Sequence, residues 1–245
     1  MIQVWGTTDI GLVRKENQDA YLVRECGGYT VCVVCDGMGG AAGGKLASQI
    51  ATETFVAEVE RRLRPDMDPE TLLACSAEAV ALANEAIRAA AEETEEYQNM
   101  GTTLVAAVAC EGGAAAVTNV GDSRAYHITK GGITRITKDH SVVERMVDRG
   151  DITAEEARRH PSRNLITRAL GPDADAQCDG YICPLEVGEY LLLCTDGLVN
   201  TVTDQEMLFE VIHGTEPDSC LDRMMEIAKR QGAPDNVTAV LMGRL

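Results

Sequence analysis

The sequence is short of basic residues: 22 Lys and Arg stand against 39 Asp and Glu, a formal net charge of −17 over 245 residues. That balance argues against DNA or RNA as a partner, because a phosphate backbone is bound by Lys and Arg. It suits a soluble chain that attracts basic partners. Long apolar runs are missing too. The longest stretch free of charge, between Glu96 and Glu111, has 14 residues, whereas a membrane-spanning helix takes about 20. Met1 to Asp9 has neither a basic flank nor an apolar run, so no signal peptide is expected there. With 23 Gly and 7 Pro the chain is not of low complexity. No internal repeat or linker divides it, and it reads as a single domain, 1–245.

Several reactive arrangements are absent as well. The four histidines, at 127, 140, 160 and 213, have no metal-ligand spacing. No cysteine is followed by an arginine six positions later, so a thiolate nucleophile has no support. No Ser-His-Asp pattern points to Ser123. Gly39 to Lys45 matches a phosphate-binding loop, but Leu46 stands where the metal-binding Ser or Thr belongs. The looser dinucleotide match at Gly37-x-Gly39-x-x-Ala42 follows Asp36, which would repel a pyrophosphate. Nine cysteines, an odd number scattered through apolar runs, predict reduced thiols and a cytoplasmic protein. Cys32 and Cys35 fall on opposite faces of a strand and read as core.

What is present is a β-rich chain with paired helices. Apolar runs predict strands at 2–7, 20–24, 29–35, 102–110, 114–120, 123–129, 185–194 and 237–242. The glycine-free segment 45–100 predicts two long helices broken near Pro65 and Pro69, with Asp68 capping the second. Gly112-Gly113 and Gly131-Gly132 read as hairpin turns. Helices are also expected at 138–150, after the capping boxes at Thr153 and Thr203, and at 218–230. Strands linked by short turns, with helices in pairs, favour an α+β fold of antiparallel sheets.

Aspartates sit at the mouths of these strands: Asp36 after Val31–Cys35, Asp122 before 123–129, Asp196 after Tyr190–Thr195, and Asp235 before the last strand. Asp19 follows Arg14 in Gly11-Leu-Val-Arg-Lys-Glu-Asn-Gln-Asp19. Antiparallel ends are adjacent, so all can meet at one rim. Gathered carboxylates repel unless hard cations neutralise them, and oxygen ligands favour Mg2+, Mn2+ or Ca2+. Asp-Gly pairs also mark ordinary turns, and the residue pattern alone leaves both readings open.

The segments Gly11–Asp19, Val34-Cys-Asp-Gly-Met-Gly-Gly40, Met100-Gly-Thr-Thr103, Val120-Gly-Asp-Ser-Arg-Ala-Tyr126, Thr137–Ser141 with Asn164–Gly171, Thr195-Asp-Gly-Leu198 and Asp235-Asn-Val-Thr238 occur in this order. Together they closely resemble the bacterial PP2C-type (PPM family) serine/threonine protein phosphatases. The resemblance implies an α+β fold, a four-layer α-β-β-α sandwich of two antiparallel sheets flanked by helix pairs, with a flap subdomain at about 140–180. It implies two core Mn2+ or Mg2+ ions and a weaker third. By position, Asp36 would bridge the core ions and Gly37 would ligate through its carbonyl. Asp196 and Asp235 would complete one shell, and Asp19 would support the other through water. Asp122 would hold the third ion with Asp196. Arg14 would bind phosphate, and Arg14 and Asp36 carry the catalytic role.

The activity so implied is hydrolysis of phosphoserine and phosphothreonine by a metal-activated water, without a phosphoenzyme. Partners would be phosphorylated proteins, including a cognate Ser/Thr kinase and its substrates. Neither nucleic acid nor membrane is expected, and a monomer suffices. One departure stands out: Ala41 replaces a histidine common in bacterial relatives. It leaves the proton donor open between metal-bound water and His160. It also motivates a second reading, a catalytically weak, phosphoprotein-binding pseudophosphatase.

Overall fold

Buried residues alternate along Tyr29–Met38 (β3): Val31, Val33 and Cys35 pack to one side, and Cys32 and Val34 to the other. A strand buried on both faces needs a layer above and below it. In the computed structural model, which describes residues 1–40, 43–110, 113–214 and 217–245, those layers are a helix pair and a second sheet. Ala41 lies outside the described residues, as does Gly112 of the first expected hairpin turn.

The sheet of β3 also contains Asp19–Cys26 (β2), Leu104–Cys110 (β5), Ala115–Val120 (β6) and Asp179–Cys183 (β9), in the order β2-β3-β5-β6-β9. The two-residue Gly101–Thr102 (β4) pairs with the end of β3. The other sheet runs β1-β11-β10-β7-β8, from Ile2–Asp9 (β1), Val237–Arg244 (β11), Glu189–Cys194 (β10), Arg124–Thr129 (β7) and Gly132–Arg135 (β8). Every pairing within both sheets is antiparallel.

Gly43–Arg62 (α1) and Pro69–Glu93 (α2) cover the first sheet through Phe55, Val59, Leu72 and Ile87. Asp68 caps α2 by accepting the Thr71 N–H at 2.7 Å, and Pro69 takes the first helical position, where no N–H is missed. The second sheet is covered by Asp196–Val199 (α5), Asp204–His213 (α6) and Pro217–Arg230 (α7), through Leu198, Met207 and Met224. Between the sheets lie Val105, Val117, Leu191, Leu193 and Val240. The fold is thus the α+β sandwich of two antiparallel sheets expected above. All nine cysteines are free.

Segment 136–178 leaves the sheets and carries Val142–Arg149 (α3) and Ala154–Arg159 (α4). The helix expected from 138 starts only at Val142, with Ser141 as its cap. Residues 138–140 are held instead by distant partners: Asp139 by Arg124, and His140 by Gly121, whose carbonyl accepts the His140 N–H at 2.9 Å. The strand expected from 185 starts at Glu189, because 186–188 make a turn closed by the Glu189 N–H on the Glu186 carbonyl. The capping boxes at Thr153 and Thr203 both form. No helix among the described residues is long and apolar enough to cross a membrane.

Candidate metal centre

Five aspartates reach one end of the sandwich by different routes. Asp19 opens β2 and pairs in register with Asp36 of β3. Asp122 precedes β7 and Asp196 follows β10; Arg124 of β7 lies opposite Cys194 of β10, so each acid stands two residues beyond one strand pair. Asp235 precedes β11.

These acids act on one another. Burial pushes Asp36 well above the usual carboxylate range, and the charges of Asp19, Asp196, Asp122 and Asp235 push it further. Asp122 is pushed up to about 8 by burial, then by Asp196 and Asp139. Asp19 is pushed up to about 7 by burial, against hydrogen bonds from Thr238 and Thr195, while Asp196 and Asp235 add to the rise. Burial and then Asp235 raise Asp196.

Two oxygens, Asp19 Oδ1 and Asp196 Oδ1, are sealed from solvent without a hydrogen-bond partner. Such orphans are costly, and a site of all-oxygen donors would satisfy them with a hard cation. The residues present therefore fit Mg2+ or Mn2+. As placed, no three acidic, thiol or imidazole groups among the described residues are drawn together as a finished ligand set.

A cleft of about 450 Å3 opens onto this end, lined by Arg14, Lys15, Gln18, Asp36, Gly37 and Asp235 among others. Gly37 is required by close approach: a Cβ there would collide with the carbonyl oxygens of Gly44 and Gln18. Arg14 stands at the rim, its side chain 55% exposed, with Nη2 2.6 Å from Asp235 Oδ2. The expected phosphate ligand is thus paired with an expected metal ligand, and that bond raises the Arg14 pKa.

Residues to which the sequence reading attached no role hold this arrangement. Asn236 Nδ2 donates to the carbonyls of Ile10 (2.9 Å) and Glu16 (3.0 Å), and its Oδ1 accepts the Gln18 N–H (2.8 Å). One side chain therefore clasps both ends of the loop that carries Arg14. Gly11, at φ 77°, lets that loop pass the Asp235 carbonyl, where a Cβ would clash. Arg124, held by Asp139 at 2.6 Å, sets a positive charge that lowers the pKa of both Asp122 and Asp196. Asn236 and Thr195 lie inside quoted motifs, beside the acids, and that adjacency was the available signal. His160, the alternative proton donor, ends α4 with its Nδ1 accepting the Ser162 N–H.

Paired antiparallel sheets faced by helices, with a cation-seeking acidic cleft at one end, define a sandwich protein built around a divalent-metal site. The protein phosphatase 2C model matches residues 13–242, and the chain belongs to that family. It is 38% identical over 235 residues to the serine/threonine protein phosphatase PstP of Mycobacterium tuberculosis, covering 96% of this chain and 43% of that protein. The chain thus spans less than half the length of that relative. It is 33% identical to the serine/threonine phosphatase stp of Listeria welshimeri, over 97% of this chain and 94% of the relative. Among solved structures, Stp1 of Staphylococcus aureus superposes with a TM-score of 0.91 at 34% identity, covering 99% of this chain and 95% of the other. The catalytic domain of PstP, solved in complex with two manganese ions, superposes at 0.84 with 34% identity, covering 99% and 97%.

Proposed function

We propose that this chain hydrolyses phosphoserine and phosphothreonine in proteins, by water attack and without a phosphoenzyme. The observation that carries the reading is the convergence of five mutually repelling aspartates, two with orphaned oxygens, beside a rim arginine. Asp36, the Gly37 carbonyl, Asp196 and Asp235 would hold two core ions, with Asp19 in support and Asp122 joining Asp196 at a weaker third. Bound Mn2+ or Mg2+ would supply Lewis acidity to the phosphate ester and to the attacking water.

The chain's own groups bind and orient. Arg14 takes the phosphate oxygens through its planar fork, a geometry that also suits charge spread over a transferring phosphoryl group. To do so it exchanges its carboxylate partner Asp235 for substrate. Asn236 keeps the Arg14 loop in place during that exchange. We assign the flap role to segment 140–180, which is tied through His140 to Gly121, next to Asp122. The acidic surface favours basic phosphopeptides, in a cytoplasmic setting and with a partner Ser/Thr kinase among the substrates.

Release of phosphate from a phosphothreonine peptide, measured with and without Mn2+, tests the reading. Metal-dependent turnover that Asp36→Asn abolishes supports it. Peptide binding with no turnover in the presence of Mn2+ would support the pseudophosphatase reading instead.

A further inference from the structure

Asp19 belongs to one sheet, yet the groups that hold its carboxyl come from the other. Thr195 Oγ1, just after β10, lies 2.9 Å from Asp19 Oδ2 and accepts the Thr238 N–H at 3.0 Å. The Thr238 hydroxyl, on β11, also favours the charged form of Asp19. Thr238 Oγ1 is 2.7 Å from Thr8 Oγ1 on β1, and Thr8 Oγ1 accepts from Asn17 Nδ2 at 2.8 Å. Asn17 closes the circuit, its Oδ1 accepting the Asp19 N–H at 3.1 Å.

Thr195 donates to Asp19 Oδ2 while accepting the Thr238 N–H. Thr238 Oγ1 shares one hydrogen with Thr8 Oγ1. Thr8 in turn accepts from Asn17. Thr195 and Thr238 are completely buried, so water does not substitute for these bonds. Yet the circuit serves Asp19 unevenly: Oδ2 takes the Thr195 bond and Oδ1 is left buried and unpartnered. A clamp built only to hold the sheets together gains nothing by leaving that oxygen bare.

We propose that Thr195 is a positioning residue of the metal centre: oriented by the Thr238 N–H, and with Thr8 and Asn17 holding the Asp19 N–H, its hydroxyl fixes the Asp19 carboxylate so that Oδ1 is turned to serve a bound cation, directly or through a water. This rests on the proposed metal-dependent function. Outer groups that orient metal ligands typically set metal affinity by about 10–100-fold.

Calorimetric titration of the full chain with Mn2+ alone tests the clamp. Thr195→Val should weaken binding by about 10-fold or more, and Thr195→Ser, which restores the hydroxyl, should recover most of it. Wild-type affinity in Thr195→Val, or a Thr195→Ser variant as weak as Thr195→Val, would overturn the proposal. If Thr195→Val does not fold, Thr8→Val at its exposed position carries the test: weakened Mn2+ binding with an unchanged metal-free melting temperature supports the clamp, and unchanged binding overturns it. An unsubstituted chain that binds no Mn2+ would overturn the proposed function itself, and the clamp with it.

Discussion

Asp19 and Asp36 stand directly opposite one another in the β2–β3 ladder, a like-charge pair at a position where sheets ordinarily place complementary side chains. Three more carboxylates add to the repulsion on Asp36. Folding tolerates this because β3 is buried in apolar packing over most of its length and Tyr21, Leu22 and Val23 of β2 pack against the same cores, which the repulsion at one end does not outweigh.

Asp36→Asn should therefore separate stability from function. Removing this carboxyl relieves repulsion in the metal-free protein, and a gain of about 1 kcal/mol raises the melting temperature by roughly 2–4 °C in a domain of this size. Mn2+ binding and turnover should be lost together. A melting temperature that falls, with calorimetric Mn2+ binding intact, would refute the charge-cluster account.

Asp122→Asn tests the third ion. Asp122 shares repulsion with Asp196, and its place before β7 sets it apart from the Asp19–Asp36 pair. The expected result is loss of the weakest step in a Mn2+ titration, with the two tighter steps kept and turnover reduced. Full activity at limiting Mn2+ would show that this acid is dispensable.

Asn236→Ala should loosen the Arg14 loop. It removes three hydrogen bonds to Ile10, Glu16 and Gln18, with a stability cost of about 1–3 kcal/mol. Because Arg14 rides on that loop, KM for a phosphopeptide should rise by about 10-fold, the equivalent of one charge-assisted hydrogen bond. Steady-state kinetics with an unchanged KM would argue that the loop is held by its neighbours alone.

His140 supplies a pH dependence of known sign. Its Nδ1 accepts the Gly121 N–H at 3.1 Å, and Nε2 lies 3.1 Å from Asp179 Oδ2. Nδ1 must stay unprotonated to accept the Gly121 N–H, because a proton there would confront that donor. Burial, the largest cause, and the charge of Arg168 lower the His140 pKa below its ordinary 6.5, and Asp179 and Asp139 only partly oppose them. The unfolded chain then takes up a proton at a higher pH than the fold does. The contribution to stability is complete above pH 6.5 and is lost as pH falls through the folded value. The melting-temperature difference between wild type and His140→Gln, followed from pH 8 to pH 5, should shrink on acidification. A constant difference would exclude His140 as the titrating group.

The parts of the fold legible in the chain are those governed by neighbours in sequence. Asp68 before Pro69 specifies the start of α2, and the Thr153 and Thr203 boxes specify α4 and α6, because a cap bonds a backbone group three residues away. The start of α3 was misplaced because Asp139 and His140 answer to Arg124 and Gly121 rather than to their own segment. The strand β9 was not anticipated at all; it lies at a sheet edge, and its partly exposed residues lack a clear apolar rhythm.

By itself, the amino-acid order determined which acids sit at strand mouths, where most of the strands and helices run, and that the helices come in pairs. Only the tertiary structure decided that Asp19 faces Asp36, that Asn236 clasps the Arg14 loop, and that Thr195, 176 residues away in sequence, bonds Asp19. Periodicity and caps act over a few residues and leave a trace in local order. Contacts between strands from opposite ends of the chain depend on how two sheets stack, and no local pattern encodes that register.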